Sequence, residues 1–200
     1  MTITYRVGNG LYVNVTNRCT NSCDFCVRSV ADGTYGELWL EKEPSKEEIL
    51  DAVLQALSGN SYDEVVFCGY GEPTVRLDDV IFVAKGIKKD FPSQKIRINT
   101  NGQANLIHGK DVTPLLAGVI DCVSVSLNAP DPVEYQNICH SEFGEAAFWG
   151  LLDFASDAKK YVPSVILSVV RETIPDSDIE KCRSLADKYG VKLKVRDFIK

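Results

Sequence analysis

Cys19-Thr20-Asn21-Ser22-Cys23-Asp24-Phe25-Cys26 is the stretch of this chain best equipped to do chemistry. It places three thiols within eight residues at C-x3-C-x2-C spacing, directly after the β-branched run Leu11–Thr16. Three thiols on one short loop can converge on a single metal centre without help from the rest of the fold. Clustered cysteines in a reducing compartment are metal ligands more often than disulfides. Structural zinc takes four protein ligands, usually pairs of cysteines or histidines, and no second pair follows here at finger spacing. A 4Fe–4S cluster is normally held by four thiolates, one per iron. Three ligands would hold such a cluster and leave one iron free to bind something else, which makes a reactive centre. Zinc stays open as the alternative metal, and buried or incidental thiols are the bland reading.

A second loop of interest is Gly69-Tyr70-Gly71-Glu72-Pro73. Glycines there let the backbone approach a ligand closely or take a positive φ. As a dinucleotide loop it is poor, because Thr74 sits where the third glycine of G-x-G-x-x-G belongs. An ordinary strand-to-helix turn is the competing reading. On the last strand Lys192, Lys194 and Arg196 alternate with Leu193 and Val195. That pattern reads as lysine protection of an edge or as an electropositive wall for an anionic substrate. His108 and His140 lack partner spacing and read as surface or loop residues.

The elements that must position these groups alternate between strand and helix. Strands are expected at 11–16, 64–68, 95–100, 122–127, 165–170 and 191–196. Helices are expected from Ser45, where Ser45 and Glu48 form a capping box, at 77–90, in a short piece near 111–117, at 144–161, and from 177 or 178 to 189. This order means βαβ units and a parallel sheet. A complete eight-unit barrel needs about 250 residues, so an open doubly wound sheet and an incomplete barrel remain. Alternation favours the barrel. Arg97, Asn99 and Asn101 lie opposite Ile96 and Ile98, and Ser124 and Ser126, with Asn128 just beyond, lie opposite Val123 and Val125. A flat parallel sheet covered by helices would be apolar on both faces. A polar face needs a lumen or a ligand.

Composition bounds the rest. The 200 residues, 44% hydrophobic and 25% charged, suit one soluble domain spanning 1–200. A net charge of −6 argues against non-specific nucleic-acid binding. Acids crowd residues 32–64 and basic residues crowd 181–200. The N-terminus has no apolar signal core, and no run of about 18 apolar residues exists to span a membrane. A reducing, cytoplasmic setting is expected, with the sequon Asn14-Val15-Thr16 there by chance. Cys68, Cys122, Cys139 and Cys182 are scattered and have no assigned role.

The cysteine loop, with Phe25 before its last thiol, resembles the signature of the radical S-adenosylmethionine (SAM) superfamily. The resemblance implies an α/β fold, a (β/α)6 partial TIM-type barrel, whose cluster loop follows the first strand. It implies that Cys19, Cys23 and Cys26 ligate a 4Fe–4S cluster whose open iron chelates SAM. An external one-electron reductant of flavodoxin or ferredoxin type then drives cleavage to methionine and a 5′-deoxyadenosyl radical. Gly69, Tyr70, Gly71 and Glu72 resemble the family's Gly-Gly-Glu-Pro motif, which holds the SAM amino group; Tyr70 departs from it. Asn99 resembles the third-strand contact to SAM. Ser126-Leu127-Asn128 resembles a Ser-Leu-Asp ending near the ribose and carboxylate, with asparagine replacing aspartate. Ser168 falls where relatives place a carboxylate contact, and Phe25 belongs to the cofactor pocket by its place in the motif. Thr16–Cys19, Phe25–Arg28 and Leu38–Leu40 look most like the short radical SAM proteins associated with TatD-type hydrolases.

The expectation is therefore an oxygen-sensitive radical SAM enzyme acting on an unidentified substrate. The rival is a non-catalytic iron–sulfur or zinc protein serving electron transfer or scaffolding. With six βα units and a chain ending soon after the sixth strand, cover for the open side is expected from elsewhere. A protein or peptide substrate, a second copy forming a homodimer, or a small anionic substrate under the 27–44 loop (Gly33, Tyr35, Gly36, Trp39) are the candidates. Lys192, Lys194 and Arg196 are expected to face that cover.

Overall fold

A computed structural model describes residues 1–30 and 38–198. Gly33, Tyr35 and Gly36 of the expected covering loop lie outside them. Seven strands form one sheet in chain order: β1 (Thr4–Val7), β2 (Gly10–Val13), β3 (Glu64–Phe67), β4 (Lys95–Thr100), β5 (Cys122–Ser126), β6 (Ser164–Val170) and β7 (Lys192–Arg196). β1 and β2 are antiparallel, and every later pairing is parallel. The six expected strands are all present, and β1 is an addition. The first expected strand is shorter than 11–16, ending at Val13.

The helices are α1 (Val27–Val30), α2 (Lys46–Gly59), α3 (Leu77–Asp90), α4 (Ala104–His108), α5 (Pro132–Cys139), α6 (Ala146–Ala158) and α7 (Asp176–Lys188). The capping box of α2 is formed: Ser45 Oγ accepts Glu48 N–H at 3.1 Å, and Glu48 Oε2 accepts Ser45 N–H at 2.7 Å. α3 buries Leu77, Val80, Ile81, Val83, Ala84 and Ile87, the i, i+3, i+4 stripe of a core-facing helix. Gly86 lets α3 settle on α2, since a Cβ there would lie 2.6 Å from Leu50 Cδ1. The expected helix at 111–117 is a single 3-10 turn, Thr113–Leu116, with Pro114 in its first turn. The 144–161 helix begins only at Ala146, because Gly144 takes φ +60° and breaks the chain direction. α4 and α5 are two short helices that the apolar spacing did not announce.

The sheet's two faces differ as the alternation predicts. Leu11, Val13, Val65, Phe67, Ile96, Ile98, Val123, Val125, Leu167 and Val169 are buried in the layer beneath the helices. On the opposite face Arg97, Ser124 and Ser168 are also buried, and the two serines line a cavity. Arg97 forms a two-pronged ion pair with Glu64, Nη2 to Oε1 at 2.6 Å and Nε to Oε2 at 3.0 Å. Burial alone pulls the Arg97 pKa down, but the bonds and charge of Glu64 outweigh it, and the net direction is up. Among the described residues no helix is long and apolar enough to cross a membrane. The sequon has a simple fate: Asn14 is fully buried, and its Nδ2 donates to Leu38 O at 2.6 Å.

Candidate functional site

The three thiols occupy the loop between β2 and α1, and a buried polar network holds that loop in place. Gln103, just past β4, donates Nε2 to Asn21 Oδ1 at 2.8 Å and to Tyr135 Oη at 3.0 Å. Its Oε1 accepts Thr20 Oγ1 at 2.7 Å and Ser141 Oγ at 3.1 Å. Asn21 Nδ2 also reaches Tyr135 Oη, at 3.0 Å. A buried network with every member satisfied rigidifies what it joins. Backbone bonds from Ser22 N–H to Cys139 O and Asp24 N–H to Ile138 O fasten the loop to the end of α5.

Gly69 and Gly71 also make a close approach that the sequence did not announce. Neither has a positive φ. The close approach they permit is to the chain itself. A Cβ on Gly69 would lie 2.1 Å from Asn14 Oδ1, and one on Gly71 would lie 2.3 Å from Thr16 O and 2.6 Å from Arg18 O. The glycines thus let the turn after β3 press against the start of the cysteine loop, where Glu72 N–H donates to Arg18 O at 2.8 Å. Glu72 itself is buried and accepts four bonds. Oε1 takes Thr74 N–H, Thr74 Oγ1 and Thr100 Oγ1 at 2.9, 2.6 and 2.7 Å, and Oε2 takes Asn101 N–H at 2.7 Å. Burial raises its pKa above the ordinary carboxylate value, and the donors offset only part of that. No cation pairs with Glu72 among the described residues.

These groups meet at one cavity of about 480 Å³, within the 300–1,000 Å³ usual for ligand sites. It is lined by Cys19, Cys23, Phe25 and Cys26 from the loop, and by Gly69, Tyr70, Gly71 and Glu72 from the turn. Asn99, Ser126, Asn128 and Ser168 contribute from the ends of β4, β5 and β6. Every residue singled out from the sequence as a ligand or cofactor contact is therefore there. Asn128 holds φ +59°, a left-handed conformation that asparagine adopts more readily than most residues, and its Nδ2 lies 3.5 Å from Cys139 Sγ.

The sequence reading missed one part of the wall. Tyr5 and Val7 of β1, Tyr12 of β2 and Cys68 line the cavity, beside the already noted Ser124 of the polar face and Arg196 of the basic strand. The first and last strands thus border one space, as expected of a curled, incomplete barrel. A hairpin signal for β1 was present, since Gly8-Asn9 joins two β-rich runs and Gly8 takes φ +58°. The basic strand also differs from expectation. Lys192 and Lys194 are exposed, whereas Arg196 turns inward to donate Nη2 to Ser124 Oγ at 2.8 Å. His108 and His140 are helix-end residues, bonded to Thr74 O and Asp24 Oδ1.

Two of the thiols, Cys19 and Cys23, sit in a setting that disfavours free thiolates. Burial, helped by the charge of Glu72, pushes Cys19 up to about 12. A thiol–thiol hydrogen bond with Cys139, together with burial, raises Cys23. Charge at these sulfurs needs a metal to stabilise it. Among the described residues no group of three or more His, Cys, Asp or Glu is gathered tightly enough to hold a single metal ion. Zinc would draw its ligands to one point at about 2.0–2.3 Å, whereas a 4Fe–4S cluster meets each thiolate at a different iron.

The radical SAM superfamily model matches residues 13–186. Among curated relatives, the chain is 28% identical over 187 residues to a Methanosarcina acetivorans protein named a probable GTP 3′,8-cyclase, covering 92% of this chain and 52% of that one. It is 24% identical over 191 residues to the GTP 3′,8-cyclase of Streptomyces coelicolor, again covering 52% of the relative. The chain thus spans about half the length of these relatives. Among solved structures, Streptococcus suis SuiB bound to S-adenosylmethionine aligns over 94% of this chain and 38% of its own, with a TM-score of 0.64 and 17% identity. Methylornithine synthase (PylB) aligns over 95% of this chain and 53% of its own, at 0.65 and 12%; both support the open-barrel fold. With the family model covering most of its length, this chain belongs to the radical SAM superfamily, enzymes that work with a 4Fe–4S cluster and S-adenosylmethionine.

Proposed function

We propose that Cys19, Cys23 and Cys26 hold a 4Fe–4S cluster through three irons, and that SAM binds the fourth within the same cavity. When bound and reduced, this pair of cofactors supplies a 5′-deoxyadenosyl radical that abstracts hydrogen from a substrate. The chain's own residues do the rest. Gly69, Tyr70, Gly71 and Glu72 receive the SAM amino group, with the Glu72 carboxylate as its charge partner. Asn99, Ser126, Asn128 and Ser168 surround the ribose and carboxylate end, and Phe25 closes the side next to the last thiol. The cavity walls exclude water and stray hydrogen donors. As family membership implies, a one-electron reductant is needed, and we assign it to a flavodoxin or ferredoxin type. The Thr16–Cys19 and Phe25–Arg28 stretches support placement with the short TatD-associated proteins.

The observation that carries this reading is Glu72. It is a buried carboxylate bordering the cavity, four times hydrogen-bonded yet without a cation among the described residues. A buried charge is costly unless it is paired, and an ammonium group arriving in the cavity completes it. The cavity also argues against the rival reading, since an electron carrier needs no such space. Anaerobic reconstitution should give about four irons per chain and, with dithionite and SAM, release 5′-deoxyadenosine. Stoichiometric zinc with no iron uptake would overturn the proposal.

A further inference from the structure

We infer that Arg196 is an oxyanion anchor for the substrate, and that the substrate is a small acid presenting a carboxylate or phosphate toward the inner wall of the cavity. This rests on the enzyme reading above and adds the class of molecule to it. Two guanidinium groups lie near enough for one to feel the charge of the other, and they are treated differently. Arg97 is neutralised by Glu64 through two bonds. Arg196 lines the cavity, and the side-chain bond it makes there goes to a neutral group, the hydroxyl of Ser124, at 2.8 Å. Among the described residues no carboxylate pairs with it. The neighbouring Asp197 is paired instead with Arg171, at 3.5 Å and with its side chain almost fully exposed.

A partly buried guanidinium beside a second cation, without a counter-charge, is unfavourable on its own. Burial and the charge of Arg97 accordingly weaken its hold on its proton. Its planar donors are suited to a two-pronged bond with a carboxylate or phosphate. Ser124 occupies one donor and leaves others for a ligand. The walls beside it are aromatic, with the rings of Tyr5 and Tyr12 5.5 Å apart, so the body of the acid meets an apolar surface. Glu72 and Arg196 give the cavity two poles of opposite charge. The negative pole suits the ammonium of SAM, and the positive pole suits an acid.

The test uses inorganic phosphate and acetate as probes, titrated calorimetrically into anaerobically reconstituted protein saturated with SAM. At least one of the two anions should bind the wild type saturably at millimolar levels, and Arg196→Gln should weaken that binding at least about ten-fold. Lys192→Gln, on the same strand but exposed, should leave it unchanged. Acetate binding with no phosphate binding would assign the acid as a carboxylate, and the reverse would assign a phosphate. Phosphate and acetate both failing to bind the wild type at tens of millimolar would overturn the inference, whatever the variant's folding. So would equal anion binding by a folded Arg196→Gln. A ten-fold loss of SAM affinity in that variant would also overturn it, since the anion at Arg196 would then be the carboxylate of SAM. Failure of the wild type to take up iron or SAM instead counts against the enzyme reading, whereas lost anion binding with iron and SAM uptake intact counts against the anchor alone.

Discussion

Oε2 of Glu72 accepts the backbone N–H of Asn101 at 2.7 Å, so the acid that follows β3 is fastened to the turn that follows β4. The same carboxylate is thus both a brace between two strand ends and the negative pole of the cavity. Those two roles can be separated experimentally.

Glu72→Gln keeps the volume and removes the charge. SAM affinity should fall by about 1–3 kcal/mol, the range for losing a charge-assisted bond, as read by equilibrium dialysis. The pH dependence follows from the raised pKa. A carboxyl whose folded pKa lies above its unfolded one keeps its proton in the native state while the unfolded chain has lost its own. Stability is therefore lost as pH rises from the ordinary carboxylate value through the folded one. Glu72→Gln should flatten that part of the urea-midpoint profile, and an unchanged slope would show that Glu72 does not set it.

Gln103→Leu removes the hub of the network beneath the cysteine loop and leaves Asn21, Thr20, Ser141 and Tyr135 short of partners. Unsatisfied buried groups cost about 1–3 kcal/mol each, so a loss of at least about 2 kcal/mol is expected in urea denaturation. Iron should leave the reconstituted variant faster under a chelator. Equal stability and equal iron retention would show that the network is dispensable.

Gly71→Ala drives a Cβ into two main-chain carbonyls, neither of which is a flexible end that could yield. A loss of about 2 kcal/mol or more is expected from such overpacking, together with reduced SAM binding. Gly59→Ala is the control. It closes α2 with nothing within 4 Å of the new methyl, and it should be neutral or stabilise by up to about 1 kcal/mol.

Cys23→Ala should abolish the broad absorbance near 400 nm that the family leads one to expect of reconstituted protein, whereas Cys122→Ser, outside the cavity, should retain it. Iron content that is the same in both would remove the distinction between loop and scattered cysteines.

Much of this was legible because it is local or periodic. The cysteine spacing, the capping box at Ser45 and the polar alternation of Arg97, Asn99, Ser124 and Ser126 all lie within one element each. The strand order follows from the βα rhythm. What could not be read is long-range. Gln103 meets Asn21 across 82 residues, and Asn21 meets Tyr135 across 114; nothing in either neighbourhood names the other. The two motif glycines were read toward a ligand, and nothing nearby told that Gly69 also presses on the Asn14 side chain and Gly71 on the carbonyls of Thr16 and Arg18. Only the fold reveals which groups lie opposite. Arg196 shares its alternation with Lys192 and Lys194, and the turn inward of one of the three depends on Ser124, two strands away.

Because the sheet runs β1 to β7 in chain order, each strand finds its partner already laid down before it during synthesis. Every parallel pairing must still close a long crossover before its strand can dock, which makes such sheets slow to assemble. The two poles of the cavity therefore mature at different times on the ribosome. The thiols, Glu72, Gln103 and Tyr135 have all been made by the time Ser141 is added, so the end to which we assign iron can take shape on a nascent chain. Arg196 arrives more than fifty residues later, on β7. A chain stalled between these points should acquire metal while still lacking the residue we assign to substrate, a vectorial order that arrested-translation experiments can observe directly.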